Sequence, residues 1–137
     1  MPFTGPLEDR IAIRELIDTY ADAVTQRDPE TWGATWAEDA HWTMPDYPEF
    51  PAQTGRENIV KLWTEAMGHY PGIIFEAYCG SIEVDGDTAK VRAYTSEVYD
   101  QDGVTKRDRG EYDDECVKID GRWYFQRRAF RNIHRQG

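Results

Sequence analysis

The hydrophobic pattern of this chain changes period once, near Gly72, and that change limits the architectures open to it. Upstream, apolar residues recur at helical spacing. Downstream they alternate, as side chains do on the two faces of a sheet. Ile13, Leu16, Ile17, Tyr20 and Val24 predict an amphipathic helix from about Leu7 to Arg27, with Glu15, Asp18 and Asp22 on the opposite side. Asp28 before Pro29 reads as an N-cap and a first helical position, opening a short second helix that carries Thr31 to about Ala37 and presents Trp32 and Trp36. Ala40 to Met44 reads as a short strand, and Pro45 to Pro51 as an irregular segment suited to a pocket rim. Thr54-Gly55-Arg56-Glu57 has the spacing of a capping box, and Ile59, Val60, Trp63 and Met67 predict a third helix ending near Gly68.

Past Gly72, four strands are predicted: Ile73 to Val84, Thr88 to Tyr99, about Thr105 to Ile119, and Arg122 to Arg131. They are punctuated at Asp85-Gly86-Asp87, Asp100-Gln101-Asp102-Gly103 and Asp120-Gly121. Strands of roughly ten residues or more, twice the usual length, must coil strongly and carry bulges. The expected fold is therefore α+β: a strongly curved antiparallel sheet, bent into a cone, with three N-terminal helices covering its concave face. All 137 residues are expected to form one domain.

The charge balance narrows the partners. With 26 acidic against 16 basic residues the chain carries a net charge of -10, which is unsuited to a phosphate backbone or an anionic membrane surface. We expect no nucleic-acid and no membrane partner. The start of the chain resembles no signal peptide and no apolar run is long enough to span a bilayer, so a cytoplasmic location is expected. Cys79 and Cys116 read as reduced thiols, and His41, His69 and His134 lack metal-ligand spacing, so no metal is expected.

Several segments together resemble one family. They are Tyr20-Ala21-Asp22-Ala23-Val24, Arg27-Asp28-Pro29-Glu30-Thr31-Trp32, Trp36-Ala37-Glu38-Asp39-Ala40-His41-Trp42, Gly55-Arg56-Glu57-Asn58-Ile59, Val84-Asp85-Gly86-Asp87-Thr88-Ala89, and Gly110 to Glu115 ahead of Gly121-Arg122-Trp123 and Arg127-Arg128. In that order they resemble SnoaL-like domains of the nuclear-transport-factor-2-like superfamily. The resemblance implies a cone-shaped fold, a homodimer or homotrimer, and a pocket that in related enzymes performs dehydration, cyclisation, dehydrochlorination or lyase chemistry without a cofactor. Dehydrating relatives use an Asp-His pair, and the corresponding positions here are Thr25 and Phe75. That departure points away from simple dehydration and leaves room for cyclisation, double-bond migration or retro-aldol cleavage that releases a small aldehyde.

If Phe75 faces the pocket, as its family position implies, alternation turns Ala93, Thr95, Glu97 and Tyr99 inward on the next strand. An inward Glu97 loses hydration, its pKa rises, and it becomes a proton acceptor or donor near neutral pH; an outward Glu97 would be solvated or paired with an arginine. The turn at Asp120-Gly121 brings Asp114 roughly opposite Arg128, as a structural ion pair or as an oxyanion-stabilising arginine that resembles the family's arginine on this strand, held by its carboxylate. The resemblance implies a substrate-oxygen contact for Tyr20 and a pocket-wall place for Trp42. The candidate catalytic residues are thus Tyr20, Glu97, Asp114 and Arg128. Trp42, Phe75, Tyr99 and Tyr112 would bind a flat, ring-containing ligand. A non-catalytic binding protein of the same fold is the alternative, and a filled cone would instead make a scaffold.

Overall fold

A computed structural model describes residues 1–137. The chain runs β1 (Phe3–Thr4), α1 (Leu7–Gln26), α2 (Pro29–Ala34), β2 (Trp36–Thr43), β3 (Gln53–Thr54) and α3 (Arg56–Ala66), which continues as one 3-10 turn, Met67–His69. The long strands follow: β4 (Ile74–Asp85), β5 (Thr88–Gln101), β6 (Val104–Ile119) and β7 (Arg122–Gln136). All strands join one open sheet in the order β1-β4-β5-β6-β7-β2-β3. The four long strands pair antiparallel as expected, whereas β1 on β4 and β2 on β7 are parallel, so the sheet is mixed.

Three bulges bend the long strands, and the pairing of β2 with β7 also shifts between Trp36 and His41. Register slips at Gly80 in β4, and at Gln126 and Ile133 in β7, each adding one residue that its partner strand does not match. A bulge raises local twist and resets which side chains face in. On β7 the buried residues are consequently Trp123 and Phe125, then Arg128 and Phe130, with a three-residue step across Gln126.

The helices close the concave side. Ile13, Ile17, Tyr20 and Val24 of α1 are buried against the sheet at i, i+4 and i+7 spacing. Helix α1 ends at Arg27, whose backbone is left-handed (φ 55°) and whose guanidinium donates to the carbonyls of Met67 and Tyr70. Asp28 caps α2 as expected, accepting from the Thr31 N–H at 3.1 Å and from the Thr31 hydroxyl at 2.6 Å. Trp32 of α2 stacks on Trp63 of α3, with ring centroids 4.5 Å apart. No helix is long and apolar enough to cross a membrane.

Two local expectations are corrected. Trp36 lies in β2, not in the second helix: Thr35 ends that helix and its carbonyl accepts from the Phe125 N–H, which starts the pairing with β7. The capping box does not form either. Gly55 is the N-cap of α3, while Thr54 belongs to β3 and its hydroxyl bonds His41 Nδ1 at 2.8 Å.

Gly110 marks the tightest approach within the sheet. The ring of Phe130 fills the space that a Cβ at position 110 would need. Gly110→Ala is expected to destabilise the fold by ~1–3 kcal/mol, as overpacking does, measured by denaturant unfolding. It should also push Phe130 into the cavity that this ring lines.

Candidate functional site

Between α1, α3 and the concave sheet lies a cavity of about 570 Å³, counting its open mouth. Fourteen of its fifteen lining residues are hydrophobic, and Glu97 is the remaining one. Tyr20 and Val24 reach it from α1, Trp63 from α3, and Phe75, Glu97 and Tyr112 from the long strands. The segment after β2 supplies Tyr47 and Phe50 at the mouth. That rim is tied to β7: Asp46 accepts from the Asn132 N–H at 2.8 Å, the Asn132 amide donates to the Tyr47 hydroxyl at 2.8 Å, and Arg135 lies 4.3 Å above the Tyr47 ring.

Glu97 is half-buried, and no protein hydrogen bond holds its carboxyl. Loss of hydration, with a smaller push from the Asp108 charge, raises its pKa to about 8; Arg135 pulls weakly the other way. Asp108 was not picked out in the sequence, although it shares parity with Tyr112 and Asp114. The turn at Asp102-Gly103 sets it directly opposite Glu97. It is 3% exposed and accepts from the Tyr99 hydroxyl at 2.9 Å, with Arg135 Nε 3.9 Å away.

Deeper in the cavity are two phenols. The Trp42 indole N–H donates to the Tyr112 hydroxyl at 3.2 Å, and the Tyr112 and Tyr20 hydroxyls lie 3.2 Å apart. Burial pushes both tyrosines above the ordinary phenol range, so they stay protonated and act as donors. Behind them sits Arg128, its guanidinium carbon 3.6 Å from the Tyr112 ring centroid, 4.1 Å from that of Phe125 and 4.4 Å from that of Tyr20. Asp114 takes two of its hydrogen bonds, at 2.8 and 3.0 Å.

Five of the eight expected site residues therefore share one cavity: Tyr20, Trp42, Phe75, Glu97 and Tyr112. The other three do not line it. Arg128 and Asp114 are enclosed beneath the aromatic floor, with side chains 1% and 0% exposed, and the Tyr20 and Tyr112 rings that line the cavity lie against the guanidinium. Tyr99 faces a neighbouring polar cleft with Asp108, Lys106 and Arg135, because the Tyr70 ring packs against it edge-on at 4.7 Å and divides the two spaces.

Thr25 and Phe75 meet: the Phe75 N–H donates to the Thr25 hydroxyl at 3.0 Å, making a clasp between α1 and β4. No group of three or more His, Cys, Asp or Glu side chains is arranged to hold a metal ion.

Comparison with known proteins agrees with this architecture. The model of a family described as the SnoaL-like domain matches residues 5–129. An uncharacterized protein of Mycobacterium tuberculosis is 29% identical over 127 residues, covering 90% of this chain and 84% of its own. A candidate scytalone dehydratase of Novosphingobium aromaticivorans superposes with a TM-score of 0.83 at 27% identity, covering 95% of this chain and 87% of that one. A hexachlorocyclohexane dehydrochlorinase of Novosphingobium barchaimii has the same fold, with a TM-score of 0.83 at 19% identity over 95% of this chain and 90% of its own.

Proposed function

The chain belongs to the SnoaL-like domain family, and from that premise we propose that it is a lyase or isomerase, working without metal or organic cofactor, that moves a proton on a small hydroxylated aromatic or polycyclic compound. One observation carries the reading: a single carboxyl, with its pKa raised to about 8, in the wall of an otherwise hydrophobic cavity. A general acid or base works best when its pKa lies near the operating pH.

In its ionised form Glu97 takes a proton from carbon or oxygen of the bound ring compound. Negative charge then gathers on a substrate oxygen, where the Tyr20 and Tyr112 hydroxyls can donate to it. The Arg128 cation behind both rings favours that charge without touching the ligand. Returning the proton to another carbon gives isomerisation. Expelling a leaving group gives elimination, and breaking the neighbouring carbon-carbon bond releases a small aldehyde. Sheet residues Ile74 and Tyr78, 53% and 66% exposed, support a homodimer or homotrimer as part of this proposal.

The Thr25 to Phe75 clasp favours a second reading, a non-catalytic binder of similar ligands. Fluorescence separates the two. Trp42 and Trp63 line the cavity, so binding of neutral phenolic and polyketide-like ring compounds should quench tryptophan emission. Compounds that bind are then assayed for turnover, and kcat/KM is expected to rise between about pH 6 and about pH 9 as Glu97 ionises. Tight binding across the panel without turnover would assign the protein to the second reading.

A further inference from the structure

We propose that Glu97 and Asp108 form a two-carboxyl proton relay connecting the apolar cavity with the polar cleft beside it. The inference rests on the reading of Glu97 as the group that exchanges a proton with the ligand, and adds a residue and a route to it.

The two residues are direct partners across β5 and β6 and both turn to the concave side. Side chains so placed have Cβ atoms ~4.5–5.5 Å apart, which brings two carboxyls within direct or one-water reach. Their surroundings differ. Glu97 lines the cavity, while Asp108 lines the cleft with Lys106, Gln101 and Glu49. Tyr47 and Tyr70 belong to both walls and separate the spaces, and the carboxyl pair crosses that partition.

Two like charges facing each other on a sheet are unfavourable, and the conflict is removed when one proton is shared between them. The Tyr99 hydroxyl donates to Asp108 at 2.9 Å and Arg135 Nε lies 3.9 Å from it, whereas Glu97 has no hydrogen-bond partner and lost hydration pushes its carboxyl up. The groups around Glu97 are then accounted for: Tyr20 from α1, Tyr47 and Tyr70 from the partition, Tyr99 on its own strand, Asp108 from β6 and Arg135 from β7. Arg135 is the one cation among them.

Once Glu97 has taken a proton from the ligand it is a neutral carboxylic acid. It passes that proton to the Asp108 carboxylate, becoming a carboxylate again while Asp108 becomes neutral. Asp108 then yields the proton to water in the cleft. No electrons change hands, and the reverse sequence delivers a proton inward.

The test is carbon-13 NMR of the side-chain carboxyls in the full chain. Asp108→Asn keeps the acceptor for Tyr99 and removes the charge; it should lower the Glu97 titration midpoint by about one pH unit. Arg135→Gln should move it the opposite way. Near its midpoint, exchange of the Glu97 proton with water, read from carboxyl line width, should slow at least about tenfold in Asp108→Asn. An unmoved midpoint, or unchanged exchange, in a variant with native near-ultraviolet circular dichroism would overturn the relay. These readouts need no substrate, so they decide the relay separately from whether the protein turns anything over.

Discussion

Glu97→Gln is expected to lower turnover by ~10²–10⁴ while making the folded protein more stable in alkaline solution. The two effects have one origin. The folded chain holds the Glu97 proton up to about pH 8, whereas an ordinary glutamate releases it near 4.5. Between those values the folded state binds more protons than the unfolded state, so stability falls as pH rises through the window. Below it both states are protonated and nothing is lost; above it the whole cost is present. At ~1.4 kcal/mol per pH unit, and with allowance for the residual exposure of the carboxyl, ionisation costs the fold ~3 kcal/mol. The amide of glutamine imitates the neutral acid and removes that cost. Thermal unfolding should therefore show a gain for the variant at pH 9 that vanishes at pH 4. A variant with undiminished turnover would take Glu97 out of the reaction.

Asp114→Asn should be the most damaging isosteric change in the molecule, costing ~3–5 kcal/mol. The carboxylate and guanidinium are both enclosed and joined by two hydrogen bonds, and the surrounding groups are mostly rings. Burial pushes the Asp114 carboxyl up and the guanidinium draws it back, while burial opposes the Arg128 charge and is outweighed by Asp114, Tyr20 and Tyr112. Removing one partner strands a cation with no water to receive it. Removing both, as in Asp114→Leu with Arg128→Met, should recover most of the loss, because the site is already apolar around the pair. Denaturant titration of the two single variants and the double variant measures the coupling. Single variants that stay fully stable and lose only turnover would instead mean that Arg128 reaches the ligand.

The parts of this molecule that could be read from the sequence are those governed by repetition. A turn such as Asp120-Gly121 fixes the register as far as the next bulge, so it brings Asp114 near Arg128, and the added residue Gln126 then makes those two, not Asp114 and Arg127, direct partners. The inward aim of Glu97 follows in the same way from alternation along β5, which no bulge interrupts. Repetition fails where a strand gains a residue: Gln126 puts Phe125 and Arg128 on one face three residues apart, a spacing that the two-residue period of a strand does not give. It fails also where enclosure depends on distant chain. Tyr99 has the parity of Glu97, yet Tyr70 from another element cuts it off from the cavity. Asp108 was hidden among 26 acidic residues, since nothing local separates a carboxylate beside another carboxylate from one in solvent. Thr54 and Gly55 show the same limit on a small scale: the motif fits a cap, but pairing with His41 claims the threonine first.

The outer part of β7 contributes one side chain to two unrelated tasks. Arg135 props the doorway by lying on Tyr47, and the same cation stands against Asp108 on the other side of the partition. Aperture and acid strength are therefore mechanically linked. A substitution that admitted bulkier guests by freeing Tyr47 would also retune the proton chemistry behind it, and neither trait could drift alone.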